Sequence, residues 1–134
     1  MSATELASRV GLSLSACHRR LKDLEATGAI ERYRAVVSAE AVGLAFEAIL
    51  FVTLGRTSLE TIAEFEAAIT KIPAIVDAQR LFGEPDYLLR VLTANLAAYQ
   101  HLYDTELSGL PGVQRLTSTM VMKNLGPDRT VPIL

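Results

Sequence analysis

The stretch AIVDAQRLFGEPDYLLRVLT, residues 74–93, decides the fold of this chain. Two runs rich in apolar and β-branched residues lie on either side of the turn Gly83-Glu84-Pro85-Asp86. Such runs, separated by a short segment of turn-forming residues, are typical of two antiparallel strands. The pattern therefore predicts a strand over AIVDAQRLF, a turn, and a second strand from Tyr87 to Thr93.

The carboxylates of Glu84 and Asp86 leave four interpretations of this turn open. They could be a catalytic acid–base pair, a metal site, part of a loop whose glycine lets a ligand approach, or only a hairpin turn. Catalysis needs an apolar pocket that a hairpin turn rarely offers, and two carboxylates without a histidine make a weak metal site. Because turns commonly use Gly, Pro and Asp, the residues alone favour a bare turn, with the ligand loop next.

Helical segments flank the hairpin on both sides. Before it, Thr57-Ser58-Leu59-Glu60 is interpreted as a capping box, and Pro73 ends the helix that the box opens. After it, Asn95 is placed to cap a second helix. The predicted buried faces, spaced as in an amphipathic helix, are Ile62, Phe65, Ile69 and Ile72 on the first helix, and Leu96, Tyr99, Leu102 or Tyr103, and Leu107 on the second.

Two further strands, FEAILFVTLG at residues 46–55 and QRLTSTMVMK at residues 114–123, complete the order βαββαβ. This order is the ferredoxin-like topology, with four antiparallel strands and both helices on one face of the sheet. A half-solvated strand alternates apolar and polar residues, yet residues 48–52 are apolar at every position. We therefore expect a second copy to cover the free sheet face in a homodimer.

The first third of the chain predicts two amphipathic helices joined by Gly11-Leu12-Ser13, which is typical of a helix-turn-helix. Ser2 or Thr4 is placed to cap the first helix, TELASRV. The second runs from about Leu14 to Ala26, with an apolar stripe at Leu14, Cys17, Leu21 and Leu24. IERYRAVVS, residues 30–38, is either a strand or a hinge.

The second of these helices carries the candidate DNA contacts, since hydroxyl and basic side chains reach phosphates and base edges. The candidates are Ser13, Ser15, Ala16, Arg19, Arg20 and Lys22. Ser15, Ala16 and Arg19 are expected in the major groove, and Arg20 and Lys22 on phosphates. The alternative is an ordinary amphipathic helix with a solvated basic face.

Composition narrows the function further. Residues 1–34 hold six basic and four acidic side chains, whereas the remaining residues hold seven basic and eleven acidic. A basic segment fused to an acidic one suits a DNA-binding unit attached to a unit of another function. With one cysteine, neither an internal disulfide nor a multi-cysteine zinc site can form.

We expect no catalytic site, metal or cofactor. Cys17 and His18 are adjacent helical residues that point about 100° apart, so they are poorly placed to pair as nucleophile and base. Neither a signal-peptide core nor an apolar run of membrane-spanning length is present, so the expected location is the cytoplasm.

Residues 5–44 resemble the DNA-binding half of the Lrp/AsnC, or feast–famine, transcription regulators. The matching positions are Glu5-Leu6-Ala7, Arg9-Val10-Gly11-Leu12-Ser13, Cys17, Arg19-Arg20, Leu24-Glu25, Gly28, Ile30 and Tyr33. The second half resembles the amino-acid-binding regulatory domain of that family. Its Gly-Asp-x-Asp-Tyr turn corresponds to Gly83-Glu84-Pro85-Asp86-Tyr87, and Leu110-Pro111-Gly112-Val113 also fits.

The resemblance implies an α+β chain that regulates transcription. It divides the chain into a partial winged helix-turn-helix at 1–34, a linker at 35–45, a ferredoxin-like ligand-binding and oligomerisation domain at 46–123, and a tail at 124–134. It implies that the protein binds double-stranded DNA, forms homodimers that assemble into tetramers or octamers, and binds an amino-acid-type effector between dimers. The effector residues that it implies are Gly83, Glu84, Asp86, Tyr87, Leu116 and Ser118.

Three features depart from the family pattern. The helix that normally precedes the helix-turn-helix is expected to be absent, so Leu6, Val10, Leu21 and Leu24 are expected to lack part of their packing surface. Glu84 replaces the usual Asp, and Leu116 replaces a usual Thr. The alternative function is therefore a metabolite-binding oligomer of the same family that does not bind DNA.

Overall fold

A computed structural model describes residues 1–125 and 131–132, so part of the predicted tail at 124–134 lies outside the described residues. The chain forms two compact units, residues 1–36 and the residues from 37 onward. The elements are α1 (Ala3–Val10), α2 (Leu14–Ala26), β1 (Phe46–Leu54), α3 (Leu59–Ile69), β2 (Ile75–Arg80), β3 (Tyr87–Thr93), α4 (Leu96–Thr105), a 3₁₀ turn (Leu107–Gly109) and β4 (Val113–Met120).

The first unit contains the two predicted helices, and local hydrogen bonds define their ends. Ser2 caps α1 by accepting a hydrogen bond from the backbone N–H of Glu5 at 3.2 Å, while the Glu5 carboxylate accepts one from the backbone N–H of Ser2 at 2.9 Å. Gly11 ends the helix in the left-handed conformation, φ 70°, which favours glycine. Ser13 caps α2 by accepting from the backbone N–H of Ala16 at 3.2 Å.

The seam between α1 and α2 is narrow. Ala7 and Cys17 are buried, but Val10 is 54% exposed, Leu14 46% and Leu24 44%. The exposure of Val10 and Leu24 agrees with the expectation that they lack part of their packing surface, and Leu14, on the same apolar stripe, is exposed as well. Between α2 and β1 the chain forms turns and irregular segments without a strand, so the strand interpretation of residues 30–38 is wrong and the hinge interpretation stays open.

The second unit is the predicted ferredoxin-like fold. Its four strands form one antiparallel sheet in the order β2-β3-β1-β4. Alternate residues of the two central strands are buried on the helix-covered face: Ala48, Leu50, Val52 and Leu54 of β1, and Tyr87, Leu89, Val91 and Thr93 of β3. They form one core with residues of both helices, including Phe65 and Tyr99.

Three details of this unit differ from the sequence prediction. The cap of α3 is Ser58, which accepts a hydrogen bond from the Thr61 N–H at 3.2 Å, so the helix begins one residue later than a Thr57 cap would place it. Leu96 is 57% exposed because it is the first residue of α4 and lies outside the buried cluster. β4 ends at Met120, before the predicted Lys123; Met120 pairs with Ala48, and after it the Val121 N–H still donates to the Glu47 carbonyl at 2.9 Å.

Gly112, which precedes β4, lies close to α3. Its φ is 74°, and a Cβ at this position would lie 2.5 Å from Thr61 Cγ2. Glycine therefore serves both the backbone conformation and the contact between the 3₁₀–β4 connection and α3.

The opposite face of the sheet carries the other residues of the central strands. Ile49, Phe51, Leu88 and Leu92 point to this side and are half-buried. Among them Glu47 and Arg90 form an ion pair, with Arg90 Nε 2.9 Å from Glu47 Oε2. The hydrogen bond from Arg90 holds the pKa of the Glu47 carboxyl below its usual value. This open face is thus largely apolar with one polar cluster.

Candidate functional site

The polar surface of α2 contains the predicted DNA contacts. At about 100° per helical residue, Ser15, Arg19 and Lys22 share the face opposite the buried Cys17. All three are exposed, as is Arg20 on the flank, while Ala16 is partly buried. Among the described residues the salt bridges are Arg80–Glu66 and Arg90–Glu47, so neither engages a cation of α2.

The predicted DNA contact Ser13 has a structural task as well. Its hydroxyl accepts the capping hydrogen bond of α2 and lies 3.4 Å from the Ser15 hydroxyl. The cap orients the start of the helix, where the residues expected to meet DNA are placed.

The Gly83–Tyr87 turn is tied to β1 through Asp86. The carboxylate Oδ2 of Asp86 accepts a hydrogen bond from the backbone N–H of Leu54 at 2.7 Å, and the Asp86 N–H donates to the Val52 carbonyl at 2.9 Å. Gly83 has φ 129°, a conformation that L side chains rarely adopt. Asp86 is therefore half-buried, and one oxygen of its carboxylate holds the turn against β1, whereas Glu84 is exposed.

Tyr87 connects the turn to a polar network on the helix-covered face. Its hydroxyl donates a hydrogen bond to Glu66 Oε1 on α3 at 2.8 Å, and Arg80 Nε of β2 lies 3.0 Å from the same oxygen. Burial, and then the hydrogen bond to Glu66, raise the pKa of Tyr87 to about 12. Glu66 and Arg80 were not among the residues predicted from the sequence, although the short hairpin pairs Arg80 with Tyr87 across the strands.

The predicted effector residues of β4 lie away from the turn within one protomer. Leu116 pairs with Val52 and Ser118 with Leu50, so β1 separates both from β3. The Ser118 hydroxyl is 2.5 Å from the Tyr99 hydroxyl of α4, and burial raises the pKa of Tyr99. A single protomer therefore brings Gly83, Glu84, Asp86 and Tyr87 together but does not bring Leu116 and Ser118 to them.

Outside these two regions, the described residues contain no metal site, reactive thiol or membrane-spanning helix that would suggest another function. Within the described residues no group of three or more His, Cys, Asp or Glu could hold a metal ion. Cys17 is a free, buried thiol. None of the described helices is long and apolar enough to cross a membrane.

Two family models match the chain. One, described as the Lrp/AsnC ligand binding domain, matches residues 47–131. The other, described as a winged helix-turn-helix DNA-binding domain, matches residues 1–31.

Individual proteins match over most of their length. The chain is 39% identical over 116 residues to an uncharacterized HTH-type transcriptional regulator of Sinorhizobium fredii, covering 87% of this chain and 91% of that protein. The transcriptional regulator NMB0573 of Neisseria meningitidis, solved as a complex with L-Met, has a TM-score of 0.92 at 34% identity, with 98% and 85% of the two chains covered. The feast or famine regulatory protein Rv3291c of M. tuberculosis, complexed with L-methionine, has a TM-score of 0.83 at 29% identity, with 97% and 86% covered.

Proposed function

This chain belongs to the Lrp/AsnC family, and on that premise we propose that it is a sequence-specific DNA-binding transcriptional regulator that responds to an amino acid. The observation that carries the proposal is the exposed basic face of α2, a helix that follows a short glycine turn. The unit that contains α2 is joined to a domain of the ligand-binding type. We propose no enzymatic activity, and we expect a DNA-binding regulator of this kind to work in the cytoplasm.

The first unit would bind DNA through α2. Arg19, with Ser15 and the small Ala16, would enter the major groove near the start of the helix, as recognition helices do. Arg20 and Lys22 would contact phosphates, and Ser13 would hold the helix start in place while offering its hydroxyl. Cations that have no carboxylate partner among the described residues are available for phosphates, which makes the affinity strongly dependent on salt.

The second unit would bind the effector at the Gly83–Tyr87 turn, where copies of the chain meet. Support comes from the L-Met and L-methionine complexes of two similar proteins. The exposed carboxylate of Glu84 and the second oxygen of Asp86 suit an ammonium group, and the glycine allows close backbone approach. Because Leu116 and Ser118 lie beyond β1 from the turn of their own protomer, we propose that they reach the effector from a neighbouring copy.

Homodimers would form through the open sheet face, since Ile49, Phe51, Leu88 and Leu92 form an apolar surface on its central strands. Dimers would then assemble into tetramers or octamers. An amino acid that binds one assembly more tightly than another would shift the assembly, and with it the spacing of the DNA-binding units.

Selection from a random duplex DNA library tests the DNA-binding proposal. The wild-type protein should enrich a sequence with paired half-sites, because a two-fold dimer presents two copies of α2. Arg19→Ala should weaken binding to the selected site by about tenfold or more, as loss of a base contact does. Arg56→Ala, in the loop between β1 and α3, is the matched control and should bind like the wild type.

Failure to enrich any sequence, or equal binding by Arg19→Ala, would overturn this role. The protein would then be the alternative, an amino-acid-binding oligomer without DNA binding.

A further inference from the structure

A groove between α3 and β2 lies on the helix-covered side of the second unit. Glu66, Ile69, Thr70, Ala78, Arg80 and Tyr87 line a cavity of about 300 Å³. A second cavity of about 260 Å³ shares Ile69, Thr70 and Ala78 and continues toward Ile75 and Val76. We call the two together the α3–β2 groove.

The groove exists because α3 does not cover the edge strand. Ala78 and Arg80 are exposed although they sit in the same cross-strand rows as the buried Leu89 and Tyr87. The residues of β2 that point to the helix-covered side therefore face the α3–β2 groove. Ile69 of α3, only 5% exposed, forms the apolar floor of the groove.

A carboxylate and a guanidinium group lie next to each other at one end of the α3–β2 groove. Arg80 Nε is 3.0 Å from Glu66 Oε1, and the Tyr87 hydroxyl donates to that same oxygen. The side chains of Arg80 and Glu66 are 57% and 38% exposed, so solvent and solutes reach both. Among the described residues Glu66 Oε2 accepts no hydrogen bond and the terminal nitrogens of Arg80 donate none, which leaves one carboxylate oxygen and the guanidinium fork for a ligand.

We infer that the α3–β2 groove is a second small-molecule site, which binds a free α-amino acid with an uncharged, apolar side chain. The ammonium and carboxylate of an α-amino acid are attached to one carbon, so an adjacent acid and base match both at once. Glu66 would bind the ammonium, and Arg80 would bind the carboxylate through its planar fork. Tyr87, which donates its hydroxyl hydrogen to Glu66, would position the Glu66 carboxylate for the ammonium.

The rest of the groove sets the choice of side chain. Beyond the charged end, Ile69, Ala78 and Ile75 offer apolar surface for a chain such as that of methionine or leucine. Asp77 lies at the far end and would repel an acidic side chain. The exposed ion pair itself contributes little to stability, so rearranging it around a ligand is inexpensive.

The inference deepens the proposed function, because it adds an amino-acid site that is complete within one protomer. The proposed effector site at the Gly83–Tyr87 turn requires a neighbouring copy, whereas the groove does not. Different backbone amides report on the two sites. A ligand in the groove should shift the amides of Thr70 and Ala78, whereas a ligand at the turn should shift those of Gly83 and Glu84.

An NMR titration of the ¹⁵N-labelled protein, residues 1–134, with L-methionine tests the groove. We expect saturable shifts of the Thr70 and Ala78 amides. Arg80→Met, which keeps an unbranched apolar stem but removes the guanidinium, and Glu66→Gln should each raise the midpoint for these amides about tenfold, the loss of one charge-assisted contact. The matched control Arg56→Met should leave the midpoint unchanged.

A ligand series makes the test specific to the groove. L-Methionine methyl ester, which lacks the carboxylate, should bind weakly and equally to wild type and Arg80→Met. L-Glutamate should bind more weakly than L-methionine.

Shifts at Gly83 and Glu84 without shifts at Thr70 and Ala78 would overturn the groove site and leave the proposed effector site standing. Equal midpoints for wild type, Arg80→Met and Glu66→Gln would overturn it as well. The DNA-binding role is decided by library selection and is independent of these results.

Discussion

Replacing Asp86 with alanine tests whether this acid serves mainly to fasten the turn to the sheet. The substitution removes the carboxylate that accepts from the Leu54 N–H at 2.7 Å. It retains the hydrogen bond from the Asp86 N–H to the Val52 carbonyl and the one from the Leu81 N–H to the Asp86 carbonyl. The change therefore isolates the side chain from the backbone of the turn.

The size of the effect follows from where the lost partner lies. A hydrogen bond to a charged group contributes about 1.5–3 kcal/mol. Leu54 is only 5% exposed, so its N–H loses its acceptor in a place that water reaches poorly. We expect Asp86→Ala to lower the free energy of unfolding by about 2 kcal/mol, which is about 8–16 °C in Tm for a domain of roughly 100 residues.

Urea unfolding followed by circular dichroism measures the change, with all proteins at one concentration because the stability of an oligomer depends on it. Asp86→Asn keeps an oxygen acceptor without the charge and should fall between wild type and alanine. Glu84→Ala is the control within the same turn. Glu84 is exposed, and its replacement should change stability by no more than about 0.5 kcal/mol.

An unfolding free energy for Asp86→Ala within about 0.5 kcal/mol of wild type would refute the fastening role. Equal losses for Asp86→Ala and Glu84→Ala would refute it too, since the turn would then respond to any loss of charge.

Three further predictions concern the same unit. Gly112→Ala should destabilise the protein by about 1–3 kcal/mol, because it forces a side chain into positive φ and against Thr61; a urea midpoint equal to wild type would contradict this. The pKa of Tyr87 is raised from 10 to about 12, so the stabilisation from its neutral form is complete below pH 10. The free energy of unfolding should therefore decline as the pH rises from 10 to 12, and Tyr87→Phe should lose that part of the decline. A pH profile of Tyr87→Phe equal to that of the wild type would show that the Tyr87–Glu66 contact is not involved. Phe51→Asp should convert the proposed dimer to a monomer by light scattering, because it would bury a charge in the proposed apolar interface. A dimer that persists in this variant would mean that copies do not meet through the open face.

Much of the architecture could be predicted from residue patterns because local physics decides it. Ser13, Asn95 and Gly11 cap helices through side chains or conformations that any solvent-exposed helix end requires. The strand from Tyr87 to Thr93 also has the bounds that its apolar run predicts. The predicted capping box began one residue too early, at Thr57, because Thr57 and Ser58 both carry a hydroxyl that can accept the capping hydrogen bond.

The burial of individual residues was predicted less well. Leu14 and Leu96 have the spacing of residues on a packed helix face, yet they are 46% and 57% exposed. Periodicity indicates which face of a helix is apolar, but the elements that pack against that face determine how much of it is covered.

The candidate sites divide in the same way. The sequence by itself determined the basic helix, the turn at Gly83–Asp86 and the βαββαβ order, because charge, turn chemistry and hydrophobic period are properties of neighbouring residues. Only the tertiary structure decided that Asp86 binds the backbone of Leu54, and that Glu66, Arg80 and Tyr87 meet beside an open groove. Those contacts join residues far apart in the chain, and their geometry depends on the strand register and on how far α3 extends over the edge of the sheet.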